Sequence, residues 1–218
     1  TLDRSSAASD VYKRQTEGKQ YEIGIKYQPP GSNSFITAAI FDLRQSNVPT
    51  MDPDPTHLCG SGRCQIQDGE QQSRGFELEG KASLNDNLNI TAAYAYLDNR
   101  ASKSNSTVRY APISDVGTGP AIAVEGTTTY GVPRHTASAW ADYTFHDGLL
   151  KGFGVGAGAR YVGSSWGDTA NTLKVPGYTL MDAALHYDIP NIANPKDNLR
   201  LALNATNPVS YTHLRAHE

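Results

Sequence analysis

The short motif Gly163-Ser164-Ser165-Trp166-Gly167 has the glycine spacing of a nucleophile elbow. In hydrolases of that kind, the central serine lies on a sharp turn between a strand and a helix, and a histidine and an acid complete the site. The residues that follow here, 168–173, are too few for a helix before another strand pattern begins. We therefore expect no enzymatic activity, and a serine hydrolase that uses Ser165 is the third of three hypotheses.

Three alternate glycines, Gly154, Gly156 and Gly158, superficially resemble a dinucleotide-binding loop. That fingerprint needs a different spacing and a helix directly after the glycines, which this sequence lacks. The glycines instead occupy one face of a strand pattern, where missing side chains let other backbone come close. We expect such a close approach here, and we expect no cofactor.

The composition excludes several classes of protein. The chain has 19 basic and 22 acidic residues, whereas a nucleic-acid-binding protein needs a clustered basic field. No apolar run approaches the roughly 18 residues of a transmembrane helix. No amino-terminal segment has the basic start and apolar core of a signal peptide, so we expect any export signal to lie outside this chain. The 12 tyrosines and 20 glycines favour β structure.

Eight segments alternate between apolar and polar residues, as half-exposed β-strands do. In the first segment, Tyr21, Ile23 and Ile25 alternate with Glu22 and Lys26. The sequence therefore predicts an all-β, antiparallel protein of about eight strands without a helix. The segments cover residues 20–27, 35–44, 76–81, 88–96, 136–145, 153–161, 179–188 and 199–206.

The second segment carries charges that fix our prediction of its faces. Asp42 and Arg44 are assigned to the polar face, because charged side chains of a strand that crosses a membrane are tolerated only where they contact water or polar protein. The predicted apolar face is then formed by Phe35, Thr37, Ala39, Phe41 and Leu43.

The connections between the segments alternate in length. The short connections are 29–33, 85–87, 146–148 and 190–197, and the long ones are 48–70, 100–131 and 164–174. Outer-membrane barrels have short periplasmic turns and long extracellular loops, and tyrosines lie near the ends of their strands. A transmembrane β-barrel is therefore favoured over the alternative, a soluble antiparallel sheet with one exposed face.

Six motifs, in order, resemble the carboxy-terminal barrel of TonB-dependent siderophore receptors, above all the ferrichrome and ferric-hydroxamate type. Each motif alone is loose, but six at the right spacing are specific and cover nearly all of residues 16–208. They are the runs at 18–27 (GKQYEIGIKY), 74–79 (RGFELE), 132–143 (VPRHTASAWADY), 158–168 (GARYVGSSWGD), 175–183 (VPGYTLMDA) and 203–207 (LNATN).

The resemblance implies a barrel of about 22 strands that encloses an amino-terminal plug. This chain would supply roughly strands 14 to 21 of that barrel, without the plug and its TonB-binding box. The implied function is TonB-dependent uptake of ferric siderophores across the bacterial outer membrane. The implied partners are a ferric siderophore, outer-membrane lipid and, through the plug, the TonB system, with iron present only as cargo. The second hypothesis is a small closed eight-stranded outer-membrane barrel with a structural or adhesin role.

The resemblance also suggests which residues contribute to binding. In this family, aromatic and polar side chains of the loops and the plug recognise the siderophore, so the ligand-binding residues expected here are Tyr110, Tyr130 and Trp166. The alternative is that these three are simply aromatic residues of loops or interfaces. The residues expected to face the lumen or the plug are Glu77, Glu79, Arg160 and Asp182.

The two cysteines, Cys59 and Cys64, lie in a long loop with only His57 nearby. One C-x4-C pair with a single neighbouring histidine is a poor zinc site, and the other histidines are scattered. In an exported protein we expect these cysteines to form a disulfide, and we expect no metal site.

The two ends of the chain break the strand pattern. Residues 1–15 and 209–218 show no period, and we expect them to be non-native or disordered extensions. Residues 16–208 are expected to form the partial barrel. Asn207-Pro208 stands where the family continues with N-L-F, and the family's final strand with its terminal aromatic residue is missing.

Overall fold

The computed structural model describes residues 15–109, 119–190 and 198–207, and these residues form strands, turns and loops without a helix. No helix in this part of the chain could therefore be long and apolar enough to span a membrane. The long strands are β1 (Glu17–Tyr27), β2 (Phe35–Met51), β5 (Gln65–Ser83), β6 (Leu88–Lys103), β9 (His135–Thr144), β10 (Phe153–Val162), β13 (Tyr178–Pro190) and β14 (Asn198–Thr206).

Three short hairpins complete the strands, and all three lie in the long connections. They pair β3 (Leu58–Cys59) with β4 (Gly62–Arg63), β7 (Thr107–Arg109) with β8 (Ala121–Ala123), and β11 (Ser165–Trp166) with β12 (Lys174–Val175). The long strands form one sheet in the order β1-β2-β5-β6-β9-β10-β13-β14, and every neighbouring pair is antiparallel. The predicted eight-stranded antiparallel architecture is confirmed.

The strands differ in length. β2, β5 and β6 have 17, 19 and 16 residues, whereas β9 and β10 have 10 each. At about 3.3 Å per residue, the three long strands extend well beyond β9 and β10. The extra length lies at the long-loop end of the sheet, because the connection from β5 to β6 at the other end spans only residues 84–87.

The register separates an apolar face from a polar face, because directly paired residues in antiparallel strands project to the same side. One apolar row joins Ile23, Ile40, Phe76, Tyr96 and His135 across five strands. This face is not covered: Ile23 is 68% exposed, and the described residues include no buried hydrophobic side chain. The sheet therefore has no apolar core of its own, and its apolar face needs another apolar environment.

The predicted faces of β2 are wrong. Ile36, Ala38 and Ile40 pair with Tyr27, Ile25 and Ile23, so the even-numbered residues of β2 form its apolar face. Asp42 and Arg44 belong to that same face, near its long-loop end, and the residues predicted to be apolar-facing project to the polar side. The error has a physical cause, because β2 carries large apolar residues at both odd-numbered and even-numbered positions. A shift of the strand register by one residue moves every side chain to the opposite face. The residues moved to the polar face are Phe35, Thr37, Ala39, Phe41 and Leu43.

The alternate glycines of β10 accommodate side chains of this chain rather than foreign backbone. A Cβ atom on Gly154 would collide with the imidazole of His186, and one on Gly156 or Gly158 would collide with the indole of Trp140. Gly158 pairs directly with Trp140, so the indole lies against the bare backbone of β10. The expectation of a close backbone approach from elsewhere is therefore replaced by an internal packing arrangement.

This arrangement predicts that Gly156→Val destabilises the protein by about 1–3 kcal/mol, because the added methyl groups must displace Trp140. The measurement is the urea midpoint of unfolding in detergent. The control is Gly18→Val, on the same polar face, where a Cβ would meet nothing within 4 Å. Equal midpoints for the two variants would contradict the packing described for Trp140.

Candidate functional site

The polar face carries a shallow depression at its centre, with a volume of about 500 Å³. Its floor is made of small side chains because the strands place Ala and Thr or Ser at facing positions. Glu77 and Glu79 on β5 project from this floor between the small side chains of β2 and β6, and Arg160 on β10 lies further across the depression. The floor residues are Thr37, Ala39, Ala93, Ala95, Thr136 and Ser138.

Arg160 and Asp182 form a forked ion pair across β10 and β13. The Arg160 Nε donates to Asp182 Oδ2 at 2.8 Å, and a terminal guanidinium nitrogen donates to Oδ1 at 3.2 Å. The Asp182 Oδ1 also accepts the backbone N–H of Asn207 at 3.3 Å. This pair is internally satisfied, and it closes one side of the depression.

Glu77 and Glu79 differ from that pair. Both are exposed, and neither carboxylate has a hydrogen-bond or ion-pair partner within the described parts of the chain. The register places Glu79 between Thr37 and Ala93, and Glu77 between Ala39 and Ala95, so no basic side chain lies directly opposite. The polar face therefore presents two unneutralised negative charges, which a cationic partner could pair.

The predicted loop aromatics Tyr130 and Trp166 lie in different long loops, which a backbone hydrogen bond joins at the long-loop end of the sheet, here called the rim. The backbone N–H of Gly131 donates to the carbonyl oxygen of Trp166 at 2.7 Å, which ties the two loops at adjacent residues. Tyr130 is exposed and Trp166 is half-buried. Tyr110, the third predicted residue, lies outside the described residues. The role of these aromatics in ligand binding stays a prediction.

A second tie between the same loops was missed by sequence reasoning. The Asn171 side chain accepts the backbone N–H of Thr128 at 2.7 Å and donates to the Thr128 carbonyl at 2.8 Å. Asn171 has a φ of 56°, in the left-handed region that asparagine tolerates better than most residues. The only sequence signal was an asparagine in a polar turn, which does not reveal a partner 43 residues away.

Asp168 closes the turn that holds Asn171. Its carboxylate accepts the N–H groups of Thr172 and Leu173 at 2.9 and 2.7 Å and the Thr172 hydroxyl at 2.8 Å. Burial raises the pKa of Asp168, but the hydrogen bonds from Leu173 and Thr172 outweigh it and hold that pKa below its usual value. Ser165 lies on β11, and this turn connects β11 to its hairpin partner β12, so the helix of a nucleophile elbow does not follow Ser165.

The loop between β2 and β5 is organised separately. Cys59 and Cys64 form a disulfide with a Cα–Cα distance of 4.8 Å. In the same loop, His57 lies between two carboxylates, with Nδ1 3.0 Å from Asp52 and Nε2 3.5 Å from Asp54. The hydrogen bond with Asp52 and the charge of Asp54 raise the pKa of His57. No cluster of three or more potential metal ligands occurs in the part of the chain that the structure describes.

The sheet and its rim match known proteins over nearly the whole chain. The family model "TonB dependent receptor-like, beta-barrel" matches residues 8–207. The ferrichrome outer membrane transporter/phage receptor of Escherichia coli K12 is 36% identical over 189 residues, which are 87% of this chain and 22% of that protein. The ferrioxamine B receptor of Salmonella typhimurium is 36% identical over 191 residues, covering 88% of this chain and 24% of that protein.

The solved structures agree. The crystal structure of the siderophore receptor PiuA from Acinetobacter baumannii superposes with a TM-score of 0.62 at 30% identity, over 86% of this chain and 24% of that one. The chain therefore belongs to the TonB-dependent receptor β-barrel family, a family of the bacterial outer membrane. It spans about a quarter of the length of these relatives, so its eight strands correspond to part of their barrel.

The hydrogen bonds of Asp168 predict a pH-dependent rim. Because its pKa is lowered in the folded protein, the stabilisation is present above the unfolded-state pKa and is lost as the pH falls through the folded pKa. Asp168→Asn should reduce amide-exchange protection at Thr172 and Leu173 by about three- to tenfold at neutral pH, because charge-assisted bonds become neutral ones.

The measurement is hydrogen exchange with residue resolution, corrected for intrinsic rates, from pH 7 downwards. The control is Asp147→Asn in the turn before β10, since the Asp147 carboxylate has no hydrogen bond to any described residue. Unchanged protection in Asp168→Asn, or an equal loss in the control, would refute the assigned role of Asp168.

Proposed function

We propose that this chain is part of an outer-membrane receptor that takes up ferric siderophores of the hydroxamate type in a TonB-dependent manner. The observation that carries the proposal is the 36% identity to a ferrichrome transporter and to a ferrioxamine B receptor, which extends over 87% and 88% of this chain. The two-faced sheet supports it, because a barrel wall in a membrane needs an apolar outside and a polar inside. Outer-membrane lipid is then the partner of the apolar face.

Ligand capture would occur at the rim. Tyr130 and Trp166, which lie at or next to the backbone hydrogen bond that joins the two loops, are the proposed contributors to siderophore binding. Iron would reach the protein only as the ferric complex, which is cargo rather than a resident cofactor. The proposed activity consists of binding and translocation and requires no bond-forming step, in keeping with relatives that are transport proteins.

The polar face would enclose a plug, and Glu77 and Glu79 would contact it. Two exposed carboxylates without partners on the barrel wall would be costly to cover unless cationic groups pair with them. A plug with basic side chains at this height would neutralise both. The TonB system would act through that plug, by changing how it contacts this wall.

The second hypothesis, a closed barrel of these eight strands, is not favoured. Within the described residues β1 pairs only with β2, and β14 pairs only with β13, so the sheet is open along both edges. A closed barrel would pair β1 with β14 and leave no free edge. Strands beyond β1 and β14 would satisfy those edges in the proposed receptor.

The decisive experiment recovers the coding sequence on both sides of this segment and expresses the complete protein in a strain without its own ferric-hydroxamate receptors. We expect a plug domain upstream and uptake of radioactive iron from ferrichrome or ferrioxamine B that depends on TonB. A complete protein without a plug, or one that gives no TonB-dependent uptake from either complex, would refute the proposal.

In that complete protein, Glu77→Gln with Glu79→Gln should reduce uptake by about tenfold or more, which is the effect of losing about 1.5 kcal/mol of charge-assisted contact. Siderophore binding at the surface should change little, because both residues lie away from the rim. The matched control is Glu22→Gln on the same face, whose carboxylate already accepts a hydrogen bond from Gln20 at 3.0 Å. Normal uptake in the double variant would exclude a role for the two carboxylates.

A further inference from the structure

The loop that carries Tyr130 is held against the sheet itself. In residues 127–131, which we call the Tyr130 segment, the backbone N–H of Thr129 donates to the carbonyl oxygen of Asn99 on β6 at 3.0 Å. The Thr129 hydroxyl donates to the Asn99 side chain at 3.0 Å and accepts a hydrogen bond from the Gln71 side chain on β5 at 3.1 Å. The segment is therefore anchored to two strands of the sheet one residue before Tyr130.

The loop that carries Trp166 is a hairpin outside the sheet. It consists of β11, β12 and the turn 168–173, and we call it the Trp166 hairpin. β11 and β12 pair at two positions, Ser165 with Val175 and Trp166 with Lys174. An isolated two-stranded hairpin is marginally stable even when it is longer than this one. Contacts with the rest of the protein must therefore hold the Trp166 hairpin in place.

Three hydrogen bonds between described residues join the Trp166 hairpin to the Tyr130 segment, and Asn171 makes two of them. Its side chain accepts the backbone N–H of Thr128 at 2.7 Å and donates to the carbonyl oxygen of Thr128 at 2.8 Å. The third is the hydrogen bond from Gly131 to the Trp166 carbonyl oxygen, at 2.7 Å. Without the Asn171 side chain, one hydrogen bond would be left to join the two loops.

Both partners of this contact are ordered by other hydrogen bonds. Thr128 is 6% exposed, and its hydroxyl accepts a hydrogen bond from Arg134 at 3.0 Å. The backbone N–H of Asn171 donates to the carbonyl oxygen of Asp168 at 3.2 Å, within the turn of the hairpin. Because both residues are already ordered, their contact costs little further conformational entropy.

We propose that Asn171 is a positioning residue of the siderophore site, which holds the Trp166 hairpin against the Tyr130 segment before the ferric siderophore binds. Ordering loops and side chains on binding lowers affinity, and a site that is ordered in advance avoids this cost. An amide side chain suits the role, because it offers one acceptor and one donor to the two polar groups of a single backbone residue. The inference rests on the proposed function, since it concerns the same binding site.

The test replaces Asn171 in the complete receptor. Asn171→Gly removes both side-chain hydrogen bonds, and glycine adopts the left-handed φ of this position without strain. The matched control is Asn47→Gly, because Asn47 is also left-handed, with a φ of 58°, and lies at the long-loop end of β2. The Asn47 side chain donates to the carbonyl oxygen of Gln15 at 2.9 Å and does not join the two aromatic loops.

We expect Asn171→Gly to raise the Kd for ferrichrome and for ferrioxamine B by about five- to tenfold, because the two loops must then be ordered on binding. Uptake of iron at saturating siderophore should keep its maximal rate, since the sheet and its polar face are unchanged. Asn47→Gly should match the unmodified receptor in both measurements. Unchanged Kd values in Asn171→Gly, an equal increase in Asn47→Gly, or a lower maximal rate without a change in Kd would overturn the proposal.

A double-mutant cycle separates positioning of the aromatic side chains from a general loss of structure. In a receptor that carries Tyr130→Ala and Trp166→Ala, Asn171→Gly should raise the Kd by less than about twofold, because the side chains that it positions are gone. A further five- to tenfold increase in that background would mean that Asn171 does not act through Tyr130 and Trp166, and the proposal would be wrong.

Amide hydrogen exchange tests the contact without any siderophore. In Asn171→Gly, protection at Thr128 and Gly131 should fall by about fivefold, whereas protection at Thr129, which bonds to β6, should be retained. Unchanged protection at Gly131 would refute the positioning role whatever the receptor binds. An unmodified receptor that binds neither ferrichrome nor ferrioxamine B would refute the proposed function, and the exchange result would still decide whether Asn171 orders the two loops.

Discussion

The structure depends on one constraint: backbone amides and carbonyls in a hydrocarbon environment must pair with one another. A continuous antiparallel ladder satisfies this requirement for six of the eight long strands, from β2 to β13, each of which has a neighbour on both sides. Since paired residues share a face, the ladder also aligns side chains into rows that are apolar on one side and polar on the other. The same constraint applies to the outer edges of β1 and β14, which would pair with further strands in the proposed receptor.

The rows explain how distant residues come together at sites. Glu79 and Arg160 lie in one register row that crosses β5, β6, β9 and β10, although 81 positions separate them in the sequence. The rim depends less on the ladder and more on side chains that replace backbone partners. Asn171 bonds both backbone groups of Thr128 as a neighbouring strand would, and Asp168 fixes the turn that presents it. The wall is therefore set by register and the rim by a few polar side chains.

Much of the eight-stranded sheet could be predicted from the sequence. The faces of β2, the packing of Trp140 and the contact between the two loops could not, for physical reasons that differ in each case. Strands such as β1 alternate cleanly between apolar and polar residues, so the number of strands and the faces of their side chains follow from period two. β2 does not alternate in this way, because Ile40 and Phe41 place an apolar residue on each of its two faces. Only the pairing of β2 with β1 and β5 shows which face belongs to the apolar side of the sheet. The glycines of β10 were recognised as sites of close approach, but their partner Trp140 could be identified only after the register was known. The Asn171 tie joins two loops that no periodic pattern relates.

The register, and not the local hydrophobic pattern, sets which residues of β2 face the lipid. The most direct test places single spin labels along β2 of the complete receptor in membranes and compares collision with oxygen, which partitions into lipid, and with a water-soluble nickel complex. Labels at Ile36, Ala38 and Ile40 should be accessible to oxygen, and labels at Thr37, Ala39 and Phe41 should not. The opposite alternation would mean that the odd-numbered residues face the lipid, and it would contradict the assignment of faces by register.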